Sequence, residues 1–290
     1  MGLIKERKGP AADTSAGAIA PAEAWRYWAV LALFYLLLTL RSPFQDLGTP
    51  LEIFAARALP FAYLKLHHAI FRETVFHLIA VAGTLMVVRT LRLKEEELGW
   101  SRPAGARSVA AALAYGAACW ALITLATIYF WIGNDLVFSN HAQDAYVRLL
   151  MWPKYFKIWA TGIFTVTDFF GTFPYLNSFI TAPLVEELVF RGALFAALRR
   201  KFSLGWTITL TSALDLLLHY NLPGFFFSAN WRPEDTRALF YLPRFVQILS
   251  FSLAAGWLRS RRATLTELTV FHSIYNFLAS SFAWAITYLS

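Results

Sequence analysis

From Ser108 to Asn134 the chain runs without a charged side chain, and it does so again from Leu268 to Ser290. About 20 apolar residues in helical conformation cross the hydrocarbon layer of a bilayer. A backbone in lipid must satisfy its own hydrogen bonds, which a helix does within itself. Unbroken apolar runs, rather than alternating ones, select helices. Composition agrees, since 58% of the 290 residues are hydrophobic and 15% are charged. A soluble domain carries roughly 25% charged residues, so this chain has too little charge to coat a water-facing surface. The expected fold class is all-α, a polytopic transmembrane helix bundle.

The apolar runs place seven spans, near residues 25–40, 69–91, 109–132, 175–198, 205–220, 240–258 and 265–288. Segments 51–64 and 154–172 read as interfacial helices or further spans, so an eighth is accommodated. Residues 1–24 are rich in Ala, Gly, Thr, Ser and Pro, lack the apolar stretch of a signal sequence, and read as a disordered cytoplasmic tail. Residues 25–108 then form N-terminal membrane helices, and residues 109–290 a second membrane domain. The net charge of +8 sits in short clusters between apolar runs, such as Arg199-Arg200-Lys201 and Arg259 to Arg262. That distribution follows the positive-inside rule and argues against nucleic-acid binding. With the amino terminus inside, 15 basic residues fall on the cytoplasmic side and 10 on the other, and Arg191 lies within a span. Trp25, Trp28 and Trp152 fit headgroup-level belts, and Asn221 to Arg237 reads as an outer loop whose phenylalanines dip into lipid. Cys119 is the only cysteine, which excludes an intrachain disulfide and a thiolate metal cluster.

Ionisable groups inside spans are costly, about 2.5–3.5 kcal/mol each on insertion scales, so each one asks for a function. The fourth span holds Glu186, Glu187 and Arg191. Glu187 and Arg191 stand four apart and share a helix face, whereas Glu186 is turned by about 100° and is free to face another group. Two carboxylates against one guanidinium leave a surplus negative charge, which suits a general base. A structural ion pair explains Glu187 and Arg191 but leaves Glu186 without a role. The fifth span ends with Asp215 and His219, and the seventh carries His272 and Asn276, each pair again on one face. At about 1.5 Å per residue, Glu186 lies roughly 20 Å from Arg199 and His219 roughly 20 Å from Gly205. On the same rise His272 and Asn276 lie roughly 15 and 20 Å from Arg262. All four fall in one slab, so a polar site buried among spans four, five and seven is expected.

At these residues the chain resembles the CPBP family of intramembrane glutamic endopeptidases, which includes the type II CAAX prenyl endopeptidases. The family's Glu-Glu-x-x-x-Arg motif is matched by Glu186, Glu187 and Arg191. Its Phe-x-x-x-His motif is matched at His219, with Asp215 standing in place of the aromatic residue. Its His-x-x-x-Asn motif is matched by His272 and Asn276. The resemblance covers residues 109–290 and implies a catalytic membrane domain that hydrolyses a peptide bond near the membrane without a cofactor. Glu186 would act as base, with His219 positioning the water; His272 and Asn276 would stabilise the oxyanion, and Glu187 and Arg191 would hold the first carboxylate. The implied substrate is a membrane-associated protein, cleaved at a CAAX-like tail, a leader or a C-terminal sorting signal. The implied location is a plasma membrane, such as the bacterial inner membrane.

Other readings stay open on the sequence. Zinc held by Glu186, His219 and His272 is one, although no His-Glu-x-x-His helix occurs. His67, His68, His77 and His141 lie outside the motif spans. A serine protease lacks its Gly-x-Ser-x-Gly elbow, and a transporter lacks matched broken helices. A membrane scaffold or immunity protein of the same fold, without cleavage, is the non-enzyme alternative. The charge bias makes a direct prediction: a reporter fused after Ser290 reads out on the non-cytoplasmic side, and one fused near Arg107 in the cytoplasm. Both on one side would overturn the seven-span order.

Overall fold

In the computed structural model, residues 21–39, 64–100, 105–133, 176–220 and 237–288 are described, and regular structure among them is helical throughout. Helix α1 is Pro21–Thr39, α2 Leu64–Leu91, the short α3 Glu95–Leu98 and α4 Ala106–Gly133. A continuous helical stretch from Asn177 to Arg199, here α5, alternates π-helical turns (Asn177–Thr181 and Leu188–Leu194) with α-helical ones (Ala182–Glu187 and Phe195–Arg199). Helices α6 (Leu204–Tyr220), α7 (Arg237–Ser260) and α8 (Leu265–Tyr288) complete the bundle. Each of the seven apolar runs coincides with a helix. Helix α1 begins at Pro21 rather than Trp25, because proline's fixed φ and missing N–H suit a first helical turn. Segments 51–63, 154–172 and 221–236 lie outside the described residues, as does Trp152.

Two apolar clusters organise the packing. One joins Tyr27, Leu31, Phe34 and Leu38 of α1 to Phe76, Ala80 and Val87 of α2 and to Phe190, Ala193 and Leu194 of α5. The other joins Ala112 and Ile123 of α4 to Phe251 and Ala255 of α7 and to Leu268 and Phe271 of α8. Lipid gives helices little hydrophobic reason to associate, so close approach at small residues takes over. A Cβ at Gly83 would lie 2.7 Å from the Phe34 ring, and one at Gly256 would lie 2.9 Å from Ile208. At Gly116 it would lie 2.5 Å from the Phe271 carbonyl oxygen and overlap the Ile274 side chain. Two tyrosines of α1 reach across as well: Tyr27 donates to the Ala197 carbonyl and Tyr35 to the Leu214 carbonyl.

The outside of the bundle is apolar. Leu33, Leu36, Leu78, Leu85, Leu122 and Leu125 are exposed, a surface that water disfavours and hydrocarbon accepts. Among the described residues, Ala106–Ala126 is long and apolar enough to cross a membrane by length and composition, and Trp25–Leu38 and Phe76–Leu91 are shorter apolar helices. At the charged end, α3 is clasped to the end of α5. Arg200 donates Nε and Nη2 to the two Glu97 carboxylate oxygens at 2.8 and 2.6 Å, and Nη1 to the Leu91 carbonyl at 2.7 Å. Burial pushes the Glu97 carboxyl up, but the Arg200 and Lys94 contacts outweigh it and hold it below its ordinary range. Since the folded value is the lower one, the clasp is at full strength at neutral pH and weakens as the pH falls through that value.

The close crossings make a paired prediction. Gly116→Ala forces the α4 and α8 backbones apart and lowers stability by about 1–3 kcal/mol, the usual cost of overpacking. Gly205→Ala, with nothing within 4 Å of the new methyl, is neutral or stabilises by about 0.4–1 kcal/mol. Unfolding of the two variants in detergent, read beside the parent protein, checks both signs.

Candidate active site

The polar residues meet where the two apolar clusters join. Arg191 marks the junction, its guanidinium carbon lying 5.9 Å from the ring centre of Phe190 in one cluster and 5.9 Å from that of Phe251 in the other. Arg191 and Glu187 are shielded from the surface at 1% and 0% exposure, whereas Glu186 keeps 15% and His219 keeps 27%. A substrate or water therefore meets Glu186 and His219 first, with Glu187 and Arg191 behind them.

The Glu187–Arg191 pair expected from i,i+4 spacing forms, but at 3.4 Å, and it is secondary. The closer partner of Arg191 is Asp215 of α6, at 2.8 Å. The reason lies in the helix: from Leu188 to Leu194 the turns are π-helical, so residues four apart no longer stack as they do in an α-helix. Arg191 is thereby swung towards α6. Asp215 also accepts the Ser252 hydroxyl of α7 at 2.6 Å, and Arg191 Nη2 donates to the Ser252 carbonyl at 3.4 Å. Three helices close on one buried guanidinium.

Each carboxylate that flanks Arg191 also holds a histidine. Asp215 Oδ1 lies 3.3 Å from His219 Nδ1, which faces the Asp215 backbone carbonyl at 2.9 Å. Glu187 Oε1 lies 2.9 Å from His272 Nδ1. With Nδ1–H donated backward, both rings turn Nε2 towards Glu186, whose Oε2 is 3.9 Å from His219 Nε2 and 3.7 Å from His272 Nε2. Those gaps exceed a direct hydrogen bond and suit a bridging water. In these tautomers both Nε2 atoms are acceptors. For His272 to donate at Nε2 its ring must carry a second proton.

Of the sequence-derived set, Glu186, Glu187, Arg191, His219 and His272 come together. Asn276 sits one turn beyond His272 and donates an amide hydrogen to the Ser178 carbonyl at 3.0 Å, which commits half of its donor capacity. The Ser178 carbonyl belongs to the first π turn of α5, so Asn276 fastens α8 to the entry of the motif helix. Ser252 was not legible from sequence, since a serine in an apolar helix carries no spacing signal. Phe251 was not legible either; its ring centre lies 4.5 Å from that of His272 and walls the histidine on the α7 side. A metal-type grouping of Glu186, Asp215 and His219 has ligand atoms within 4.8 Å of one another. Asp215 is a poor ligand there, because its carboxylate already answers Arg191, Ser252 and His219.

These contacts predict the behaviour of Asp215. Asp215→Phe restores the aromatic residue of the family motif but strips Arg191 of its nearest counter-charge. Breaking such a buried pair costs about 3–5 kcal/mol, so unfolding temperature and cleavage should fall together. Asp215→Asn, which keeps a hydrogen-bond acceptor, should be milder on both readouts. Parental stability in Asp215→Phe would show that the pair is idle.

Residues 167–278 match the family model described as type II CAAX prenyl endopeptidase Rce1-like. Neither curated proteins nor solved structures gave a match to the chain. The matched stretch contains all three motifs, from Glu186 on α5 to Asn276 on α8. Over residues 167–278 the chain is therefore similar to the type II CAAX prenyl endopeptidase Rce1-like family.

Proposed function

We propose that the protein is a glutamic-type intramembrane endopeptidase in which Glu186 takes a proton from a water held between its Oε2 and the two histidine Nε2 atoms. The hydroxide attacks the scissile carbonyl, and the proton then passes from Glu186 to the leaving amine. His219 fixes the water, oriented from behind by Asp215. His272 donates to the oxyanion from Nε2, which needs a proton on each ring nitrogen, and the remaining amide hydrogen of Asn276 assists it. The observation that carries this reading is the convergence of two backed imidazoles on one partly exposed carboxylate oxygen, at 3.7 and 3.9 Å. A general base, a positioned water and a donor lie within reach of one substrate carbonyl, the arrangement that acyl transfer to water requires. The substrate is a protein segment at or in the membrane, for which a prenylated CAAX tail is the first choice on family grounds. A site on the outer side of the spans would favour exported membrane tails instead.

A second reading has one observation in its favour. Glu186 Oε2 stands 3.7 Å from His272 Nε2 and 3.9 Å from His219 Nε2, near the separation of two ligands on one zinc ion. Chelation separates the two: the glutamic reading expects activity to survive strong chelators, while loss with recovery on added zinc supports the metal.

The catalytic assignment makes graded predictions. Glu186→Gln keeps shape but removes the base, so cleavage should fall by about 10²–10⁴-fold while the protein still inserts and folds. Asn276→Ala should cost at most about 10²–10³-fold, the value of one oxyanion donor. Turnover of a prenylated peptide by protein in lipid, with unfolding measured alongside, reads both. A dead Glu187→Gln beside an active Glu186→Gln would exchange the roles of the two carboxylates. Activity in both would leave the scaffold reading as the better one.

A further inference from the structure

We propose that Arg259 is a positioning residue: from outside the polar cluster it holds the register of the helix that carries Glu186, Glu187 and Arg191. The activity arm of this proposal rests on the protease reading above, and the structural arm does not.

The argument starts from backbone accounting. Where a helix passes from π register (i→i−5) back to α register (i→i−4), one carbonyl loses its in-helix donor. In α5 the change falls after Leu194. The Phe195 N–H is directed at the carbonyls of Gly192 and Phe190, three and five residues back, and passes over Arg191 at the α-helical position. The next amide, Ala196, lies in the α segment Phe195–Arg199, and α register would pair it with Gly192. The carbonyl left over is that of Arg191. A buried backbone carbonyl without a donor is costly, by about 1–3 kcal/mol, so an outside donor decides whether the π segment persists.

Arg259 of α7 is that donor. Its Nε donates to the Arg191 carbonyl at 3.0 Å. Its Nη2 donates to the Glu97 carbonyl at 2.7 Å and its Nη1 to the Ala263 carbonyl at 3.3 Å. The guanidinium carbon stands 5.7 Å from the ring centre of Phe195. Among the described residues its partners are backbone carbonyls, so it acts as a fork of donors and not as half of an ion pair. A lysine cannot reproduce the three directions of that fork. The opposite wall is Gly99, with φ at +75°, where a Cβ would lie 2.6 Å from the guanidinium carbon. Glycine is required twice over, for its backbone conformation and for this contact. The Leu265 N–H bonds the Gly99 carbonyl at 3.0 Å, so the turn after α3 cannot retreat.

The consequence reaches the site through geometry. With Arg259 removed, the cheapest repair is for α5 to return to α register, which gives the Arg191 carbonyl the Phe195 N–H. That turns the residues before the bulge relative to those after it by most of the angle between successive residues, about 100°. Glu186 and Glu187 would leave their histidines while the rest of the bundle stayed packed.

The test uses the full-length protein in lipid nanodiscs, with Arg259→Met, Arg259→Lys, Gly99→Ala and the double variant Gly99→Ala/Arg259→Met. Amide hydrogen exchange is read across residues 188–198, and turnover on a prenylated CAAX-tail peptide. In Arg259→Met, exchange in that stretch should change while α4 and α8 stay protected. Turnover should fall by at least about 10²-fold with KM unchanged, since even about 1 Å of misplacement costs that order. Arg259→Lys should lie between. Gly99→Ala should reproduce the loss, and the double variant should be no worse than Arg259→Met, since both act through one contact. Parental exchange over 188–198 in Arg259→Met would overturn the proposal, as would losses that multiply in the double variant. Should Arg259→Met fail to fold, Arg259→Lys and Gly99→Ala carry the same comparison. If the parent cleaves no peptide, the protease reading is what fails, and the exchange data alone decide the role of Arg259.

Discussion

A guanidinium with two carboxylates, sealed inside the bundle, is the interaction on which the rest of the site depends. Arg191 stands 2.8 Å from Asp215 and 3.4 Å from Glu187, and each of those carboxylates orients one histidine. Removing the cation would strand two buried negative charges, and removing either carboxylate would release one imidazole. The two histidines thus do not owe their directions to their own helices. They owe them to a shared ion behind them, and Glu186 in front is the only member of the cluster that this ion leaves unengaged at short range.

Lipid makes such an arrangement both costly and specific. Polar groups in hydrocarbon have nowhere else to turn, so the bundle must complete the network or fail to close. Donors come from wherever the chain can supply them: a serine hydroxyl from α7, and an asparagine amide spent on a π-turn carbonyl. The apolar clusters on either side hold the helices at the distance these bonds require. Phe190 and Phe251 face the guanidinium from opposite clusters and exclude water from it.

The π-helical turns connect the two levels. An α-helix would stack Glu187 over Arg191 and satisfy the pair within α5 alone. The wider turn weakens that local pair and lets Arg191 face α6 and α7, so a contact within one helix becomes a contact among three. The price is a carbonyl without an in-helix donor, which Arg259 answers from the end of α7.

The sequence by itself determined the helices and the identity of the polar residues. Long apolar runs leave no other way to satisfy a backbone in lipid, so all seven helices sit where hydropathy puts them. Charged residues are too costly there to be accidental, so Glu186, Glu187, Arg191, His219 and His272 announced themselves. Depth along each helix followed from a fixed rise per residue. Partner choice did not follow, because it depends on rotation about each helix axis and on register. Spacing paired Glu187 with Arg191, and a π turn, which no residue pattern here signals, handed Arg191 to Asp215. In sequence Asp215 stood out as a carboxylate one turn from His219 and as a departure from a motif, and only the packed bundle added Arg191 and Ser252 as its partners. Ser252, Ser178 and Arg259 act through positions that side-chain identity alone does not mark, and two of the three bonds involve a backbone carbonyl. Those contacts belong to the tertiary structure, since a carbonyl becomes available only once the helices around it have chosen their register.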